Sequence, residues 1–410
     1  MEHVDVAIVG AGLAGLACAQ LLDGRGYEVV VLDHADRVGG RVATDRIDGY
    51  TIDRGFQLLN PAYPALPKVV DLKALKLRAL PAGVRIARTT TTTELLDPRR
   101  NPFSTISTLR GLPGTRREQL RLAAYLASVA LTPNPQAHSD CTIAERFAAR
   151  GITGPLVDRL LGPFLAGVTL DPALETSSRF VELVLRSMLR DTPAVPANGM
   201  GALPAQIASR LGASTVRLNT SVSSITPSTV YTSEGAISAG IVVVAVDGPG
   251  AASLLQSMPT PAMRSVTTWW HATAHPVETG PLWLDVSRSP ITNVAAMSGA
   301  APSYAPPGKG LIAASTPGLH PSTATEHLVR ERVAELVGCR VREVDLVATS
   351  LIEHALPAMV APLDLQPPLS VDGCIVAGDF RATASIQGAL ASGRRAGRAA
   401  LRRLQRREQA

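Results

Sequence analysis

Val4-Asp5-Val6-Ala7-Ile8-Val9-Gly10-Ala11-Gly12-Leu13-Ala14-Gly15 opens the chain with a short apolar run and three glycines at fixed offsets. The run reads as a buried β-strand. The glycines read as a tight turn, and the stretch ending near Asp23 as a helix with Gly24 placed to cap it. Each glycine has its own task. Gly10 permits the turn, Gly12 lets backbone approach a pyrophosphate, and Gly15 lets helix and strand pack closely, while the helix N-terminus at Leu13 and Ala14 attracts phosphate charge. A lone G-x-G-x-x-G is a weak signal. Here a second strand, Tyr27 to Leu32, closes the unit and ends at Asp33, whose carboxylate is placed to accept hydrogen bonds from ribose hydroxyls. The arrangement predicts a dinucleotide site.

Composition bounds what surrounds this unit. The chain has 410 residues, enough for two or three domains with real cores, and its hydrophobic (46%) and charged (18%) fractions exclude a disordered or fibrous chain. Apolar stretches such as Ile241 to Val246 fall far short of the roughly 18 residues that span a bilayer. The net charge of +6 is modest. The densest basic run, Arg394 to Arg407, reads as a helix end whose arginines complement the dipole, so no nucleic acid is expected as a partner. Cys18, Cys141, Cys339 and Cys374 are scattered with no C-x-x-C pair, which reads as reduced, buried thiols. The first strand begins at Val4, leaving no room for a signal segment ahead of it. A cytoplasmic protein is the expectation.

After Asp33 the chain runs Asp36-Arg37-Val38-Gly39-Gly40-Arg41, and then Asp53-Arg54-Gly55-Phe56-Gln57. A nicotinamide-binding domain would usually continue with further strand-helix units. A Gly-Gly pair instead removes side chains where backbone passes close to a ligand, and the flanking arginines can meet phosphate or a flavin edge. Near the other end, Cys374-Ile375-Val376-Ala377-Gly378-Asp379 reads as a strand and a turn, and Ile386 to Ala400 has helix composition.

These segments resemble the superfamily of FAD-dependent amine oxidases, phytoene desaturases and protoporphyrinogen oxidases. Its members open on a Gly-rich turn, an acid on the second strand and an Arg-x-Gly-Gly-Arg segment, matched by Arg37 to Arg41. Their closing flavin motif is similar to Gly378-Asp379 followed by Ser385-Ile386-Gln387-Gly388-Ala389. Asn198 to Pro204 and Val216 to Ile225, which contains Val222, resemble the segment that returns the chain to the FAD domain. The resemblance implies FAD as cofactor. It implies a site drawn from Gly10, Gly12, Leu13, Ala14, Gly15, Asp33, Arg37, Gly39, Gly40, Arg41, Gln57, Val222, Gly378, Asp379, Ser385, Ile386 and Gln387. Asp379 would be aimed at a ribityl chain, and the helix after it would stabilise charge on the reduced flavin. Gln57 is either a polar group near the flavin or a residue that only packs and bonds backbone.

The implied fold is α/β, a Rossmann-like FAD-binding domain (1–75, 200–255 and 350–410) with an interleaved α+β substrate-binding domain (76–199 and 256–349). Within the latter, Thr142-x-x-Glu145 reads as a capping box, and Phe180, Val181, Val184, Leu185, Met188 and Leu189 share one helix face that reads as core. Thr89 to Thr93 suits an exposed strand.

Other chemistries fail on spacing. There is no G-x-S-x-G elbow and no Gly-Lys-Ser/Thr, and His271 with His275 lacks an acidic neighbour and a third ligand, so no metal is expected. Within the superfamily, the positions that would flank an amine substrate fall near Ile375 and Ser385, neither aromatic, and Pro261 to Pro276 lacks the lysine that amine oxidases tend to carry. Trp269 and Trp270 could rebuild an aromatic wall. Glu94 to Pro102, Pro163 to Val168 and Asp53 to Gln57 look similar to desaturase-like members. They point to an oxidoreductase that takes a hydride from a small but bulky apolar organic substrate, with no acid or base assigned. Amine oxidation, redox-neutral isomerisation and a flavin-binding role in assembly with a partner remain open. Arg99, Arg100, Arg110, Arg116, Arg117 and Arg121, ahead of Leu122 to Leu131, form either a solvated helix face or a basic amphipathic contact with a membrane surface.

Overall fold

The apolar N-terminal run is strand β1 (Glu2–Val9), which passes through the glycine turn into α1 (Leu13–Asp23) and returns as β2 (Val29–Leu32). Gly24 caps α1, its N–H donating to the Gln20 and Leu22 carbonyls. The computed structural model describes residues 2–132, 139–213, 215–287 and 289–409. A hairpin of β3 (Thr44–Ile47) and β4 (Tyr50–Asp53) follows. The chain then leaves through β5 (Leu77–Ala79) into the hairpin β6 (Gly83–Ala87) and β7 (Thr92–Leu96). The threonine run starts its strand only at Thr92, because the residues before it make the turn between β6 and β7.

A helical block comes next: α2 (Thr105–Gly111), α3 (Arg116–Leu131), α4 (Ile143–Ala149), α5 (Gly162–Thr169) and α6 (Ser178–Arg190). The capping box at Thr142 and Glu145 is formed. A π-helical turn, Val157–Leu161, leads into α5. The chain returns through β8 (Ala194–Pro196), which pairs with β5, and α7 (Ala202–Ala208). Strands β9 (Val216–Arg217), β10 (Val222–Thr226), β11 (Thr229–Thr232) and β12 (Gly235–Val244) follow, then α8 (Gly248–Leu254). A second excursion contains β13 (Met263–Thr273), β14 (Leu282–Asp285), β15 (Asn293–Ala296), α9 (Met297–Ala300), β16 (Gly310–Pro317), α10 (Thr323–Val337) and β17 (Val344–Pro357). β18 (Ser370–Val371), β19 (Cys374–Val376) and α11 (Ile386–Glu408) end the chain.

Two large sheets result. In the first, β19, β12, β1, β2 and β9 run parallel, and β10 and β11 add an antiparallel edge. Both faces of the parallel centre are covered, which is why β2, β19 and the C-terminal halves of β1 and β12 are continuously apolar rather than alternating. α1 and α11 cover one face, with Ala14, Cys18 and Leu22 packed against Ala396, Ala400 and Leu404; Leu255 and Met258 cover the other. The second sheet runs β17-β13-β16-β15-β14-β6-β7 and carries α10 on one face through Val329 and Val333.

Two expectations are corrected here. The boundary placed at residue 350 falls inside β17, which pairs with β13 from Val344 to Pro357. β17 is an edge strand whose side chains alternate between half-buried and exposed, so its sequence does not announce the pairing. The apolar face of α6 is not all core. Val184, Met188 and Leu189 line a cavity, and helical periodicity cannot separate the two because each demands apolar side chains.

Candidate functional site

A cavity of about 1550 Å³ runs between the two sheets and the helical block. The glycine turn forms part of its wall, and the reasons for its three glycines differ. Gly10 has φ +108°, and a Cβ there would come within 2.8 Å of Ala245 backbone; a Cβ on Gly15 would lie 1.9 Å from the Gly10 carbonyl oxygen. Those two glycines are demanded by the fold itself. A Cβ on Gly12 would meet no protein atom within 4 Å. The fold does not exclude a side chain there, and the space over Gly12 is open. The N-terminus of α1 has no side-chain cap and no acid in its first turn, so its N–H groups and dipole are available to an anion.

Asp33 holds this turn open. Its Oδ2 accepts from Ala11 N at 2.6 Å and its Oδ1 from Ala35 N at 2.9 Å. A carboxylate has further lone pairs for a ribose hydroxyl. The Gly-Gly segment is stitched to the turn as Gly39 N donates to the Ala11 carbonyl at 2.9 Å. Arg41 Nη2 donates to both Asp379 oxygens at 2.8 Å, and its Nη1 to the Ala355 carbonyl at 2.7 Å. Gln57 Nε2 donates to the carbonyls of Arg41 (2.8 Å) and Arg54 (3.1 Å), while its buried Oε1 has no partner among the described residues.

The C-terminal motif reaches the same wall. Gly378, Asp379, Ser385 and Ile386 line the cavity together with Val222. Gly378 N donates to Ser392 Oγ at 3.1 Å, and Ser385 Oγ accepts from Gly388 N at 3.0 Å, so the first turn of α11 is partly capped by its own chain. Of the residues anticipated from sequence, Gly10, Gly12, Leu13, Ala14, Asp33, Gly39, Gly40, Arg41 and Gln57 also line the cavity. Gly15, Arg37 and Gln387 are outside the lining. Gly15 packs helix on strand; Arg37 is spent on Asp36 and Asp45; Gln387 Oε1 accepts from Ala65 N.

Beyond the cradle the wall turns apolar, with Leu80, Leu95, Leu112, Leu126, Phe164, Val168, Phe180, Met188, Leu282 and Ile352. Tyr63 also lines it, and burial pushes its hydroxyl up to about 12, so it stays a protonated donor. The aromatic wall anticipated from Trp269 and Trp270 does not form. Strand alternation sends Trp269 toward α10 and Trp270 into the core, and neither lines the cavity. Ile375 is buried within the first sheet, on β19, and Asp97, the carboxylate among the apolar lining, is held below its usual range by hydrogen bonds from Arg99. Among the described residues no cluster of three His, Cys, Asp or Glu side chains could hold a metal ion, and no helix is long and apolar enough to cross a membrane.

The family model for flavin containing amine oxidoreductases matches residues 13–401. The chain belongs to that family. Chloroplastic protoporphyrinogen oxidase from Nicotiana tabacum is 26% identical over 313 residues, covering 66% of this chain and 55% of its own. The chain thus spans about half the length of that curated relative. Two solved structures share the fold: a redesigned putrescine oxidase (TM-score 0.73, 19% identity, 98% of this chain and 99% of that one) and a reduced UDP-galactopyranose mutase (TM-score 0.71, 16% identity, 97% and 95%). Members of this flavin family bind FAD. The open space over Gly12, the uncapped α1 and the unpartnered Gln57 Oε1 fit that group.

The sequence did not reveal the far wall. α5, α6 and the strands β6, β15 and β16 contribute leucines, valines and a few polar groups such as Asn293 and Ser315. Nothing in periodicity marks these as site rather than core.

Proposed function

We propose that this protein is an FAD-dependent oxidoreductase that takes a hydride from a bulky apolar substrate. When bound, the flavin supplies the hydride acceptor at N5. The loop Gly10–Gly15 and the start of α1 would hold the pyrophosphate, Asp33 the ribose, and the Gly39–Arg41, Val222, Gly378–Asp379 and Ser385–Ile386 segments the rest of the dinucleotide. The apolar walls from α5, α6 and the second sheet would exclude water and orient the substrate, which is the main contribution a protein makes when the cofactor carries the chemistry. No acid or base is assigned.

The observation that carries the desaturase-like reading over amine oxidation is the apolar character of the cavity beyond the cradle. A cationic amine there would meet no free carboxylate, since Asp97 is paired with Arg99, and no pair of facing indoles. A peripheral membrane contact extends the reading. Phe103 is 100% exposed, Ile106 65% and Leu120 72%, on or beside α2 and α3, with Leu109, Leu120 and Arg116 at the cavity wall.

The test is the visible spectrum of the purified protein, recorded without oxygen before and after adding polyenes, porphyrinogens and amines in turn. Bleaching by a polyene or porphyrinogen supports the proposal. Bleaching by amines alone would replace it with amine oxidation, and failure to bind FAD would overturn it altogether.

A further inference from the structure

Asn293 opens β15 and is 3% exposed, in the wall of the cavity. Its register partner is Ser315 of β16, which in turn faces Thr268 of β13, so three polar side chains form one row across the second sheet. Two of them satisfy each other, with the Thr268 and Ser315 hydroxyls 2.8 Å apart. Asn293 is left over. Its Oδ1 is buried and has no hydrogen-bond partner among the described residues. The lining on the adjacent strand and helix, Leu282, Phe164 and Val168, offers it only apolar side chains.

The fold nonetheless makes room for this carboxamide. α5 packs on β14, β15 and β16, and the residue opposite Asn293 is Gly167. A Cβ at Gly167 would lie 2.5 Å from Asn293 Nδ2. A glycine inside a helix weakens it relative to alanine, so α5 gives up stability where a larger side chain would displace the carboxamide. An acceptor buried without a partner is a standing cost that leucine or valine at this position would remove. A donor on a ligand removes it too.

We infer that Asn293 selects the substrate: an otherwise apolar molecule carrying one N–H or O–H group, whose hydrogen Oδ1 accepts. The inference rests on the reading of the cavity as a substrate site and narrows the substrate from any apolar compound to one with a donor at a fixed place. Apolar walls discriminate poorly between shapes differing by a methyl group, whereas a buried acceptor rejects an analogue that leaves it unpaired. Asn293 therefore carries specificity that the leucines around it cannot.

The test uses two fluorescent probes that differ in this one feature, 1-hydroxypyrene and 1-methoxypyrene, titrated into the purified protein, with flavin content read separately from visible absorbance. The wild-type protein should prefer 1-hydroxypyrene by at least about tenfold, and Asn293→Leu should abolish the preference while keeping affinity for 1-methoxypyrene. Gly167→Ala, which leaves Asn293 present but crowds its carboxamide, should reduce the preference and guards against a folding defect in the first variant. Equal affinities in the wild-type protein, binding of neither probe, or a preference that survives Asn293→Leu would overturn the inference. Loss of flavin with the preference intact would count against the oxidoreductase reading and leave the role of Asn293 in place.

Discussion

Arg41 and Asp379, 338 residues apart in the chain, meet in a two-pronged contact in which Arg41 Nη2 donates at 2.8 Å to each carboxylate oxygen. The Asp379 side chain is 6% exposed and that of Arg41 30%. Because Arg41 also holds the Ala355 carbonyl, the Gly39–Arg41 segment, the last turn before α11 and the end of β17 are joined at one point of the cavity wall. Asp379→Asn keeps the shape and removes the charge. We expect it to cost about 2 kcal/mol of stability and to weaken FAD retention about tenfold or more, read by urea unfolding and by flavin titration.

Gly12 and Gly15 should respond to alanine in opposite ways. Gly12→Ala meets no protein atom and has φ −71°, so apoprotein stability should change by less than about 0.5 kcal/mol while FAD binding falls sharply. Gly15→Ala drives its Cβ into the Gly10 carbonyl and should destabilise the fold by about 2 kcal/mol or more. Urea titrations of both apoproteins, set beside flavin titrations, check the contrast. Equal damage to stability would remove the case for a ligand over Gly12.

Asp53 is fully buried and accepts from Thr44 Oγ1 at 2.6 Å, Met200 N at 2.8 Å and Tyr304 OH at 2.8 Å. It therefore ties the β3–β4 hairpin to the returning segment and to the second excursion. Burial pushes its carboxyl up, and these donors oppose that shift. Tyr304→Phe removes one donor and should cost about 1–3 kcal/mol, measured by thermal or urea unfolding.

His271 on β13 is buried, with Nε2 3.2 Å from Glu326 Oε1. Burial holds its ring below the usual histidine range, partly offset by Glu326 and reinforced by nearby Arg330. Below its unfolded value near 6.5 the unfolded chain binds a proton that the folded one does not, so stability is fully present above about pH 6.5 and is lost as pH falls toward the folded value. The slope should reach at most about 1.4 kcal/mol per pH unit. His271→Gln should flatten it, as followed by unfolding at pH 7 and pH 5.5.

The face around α2 and α3 carries Phe103, Ile106 and Leu120 exposed beside the basic Arg110, Arg116 and Arg117. Co-sedimentation with anionic vesicles at low salt should be lost on neutralising Arg116 and Arg117 or on replacing Phe103 with aspartate. Arg121 should matter less, because it is half-buried with its Nη1 donating to the Gly151 carbonyl, whereas Arg116 and Arg117 are exposed. Absence of binding to anionic vesicles would end the membrane reading.

The proposed dinucleotide cradle is legible in the sequence. Gly10, Gly12, Gly15, Asp33, Gly39, Gly40 and Arg41 are recognisable because a dinucleotide is bound by backbone, and backbone needs glycine at particular spacings within a few dozen residues. The apolar side of the cavity emerges only from the packing. Residues such as Asn293, Gly167, Met188 and Tyr63 come from distant segments and take their meaning from register and crossing geometry, and an apolar face reads identically whether it meets a core or a cavity. The same reason hid the extent of β17 and the partner of Arg41. Local periodicity specifies which face is buried, while long-range packing specifies against what.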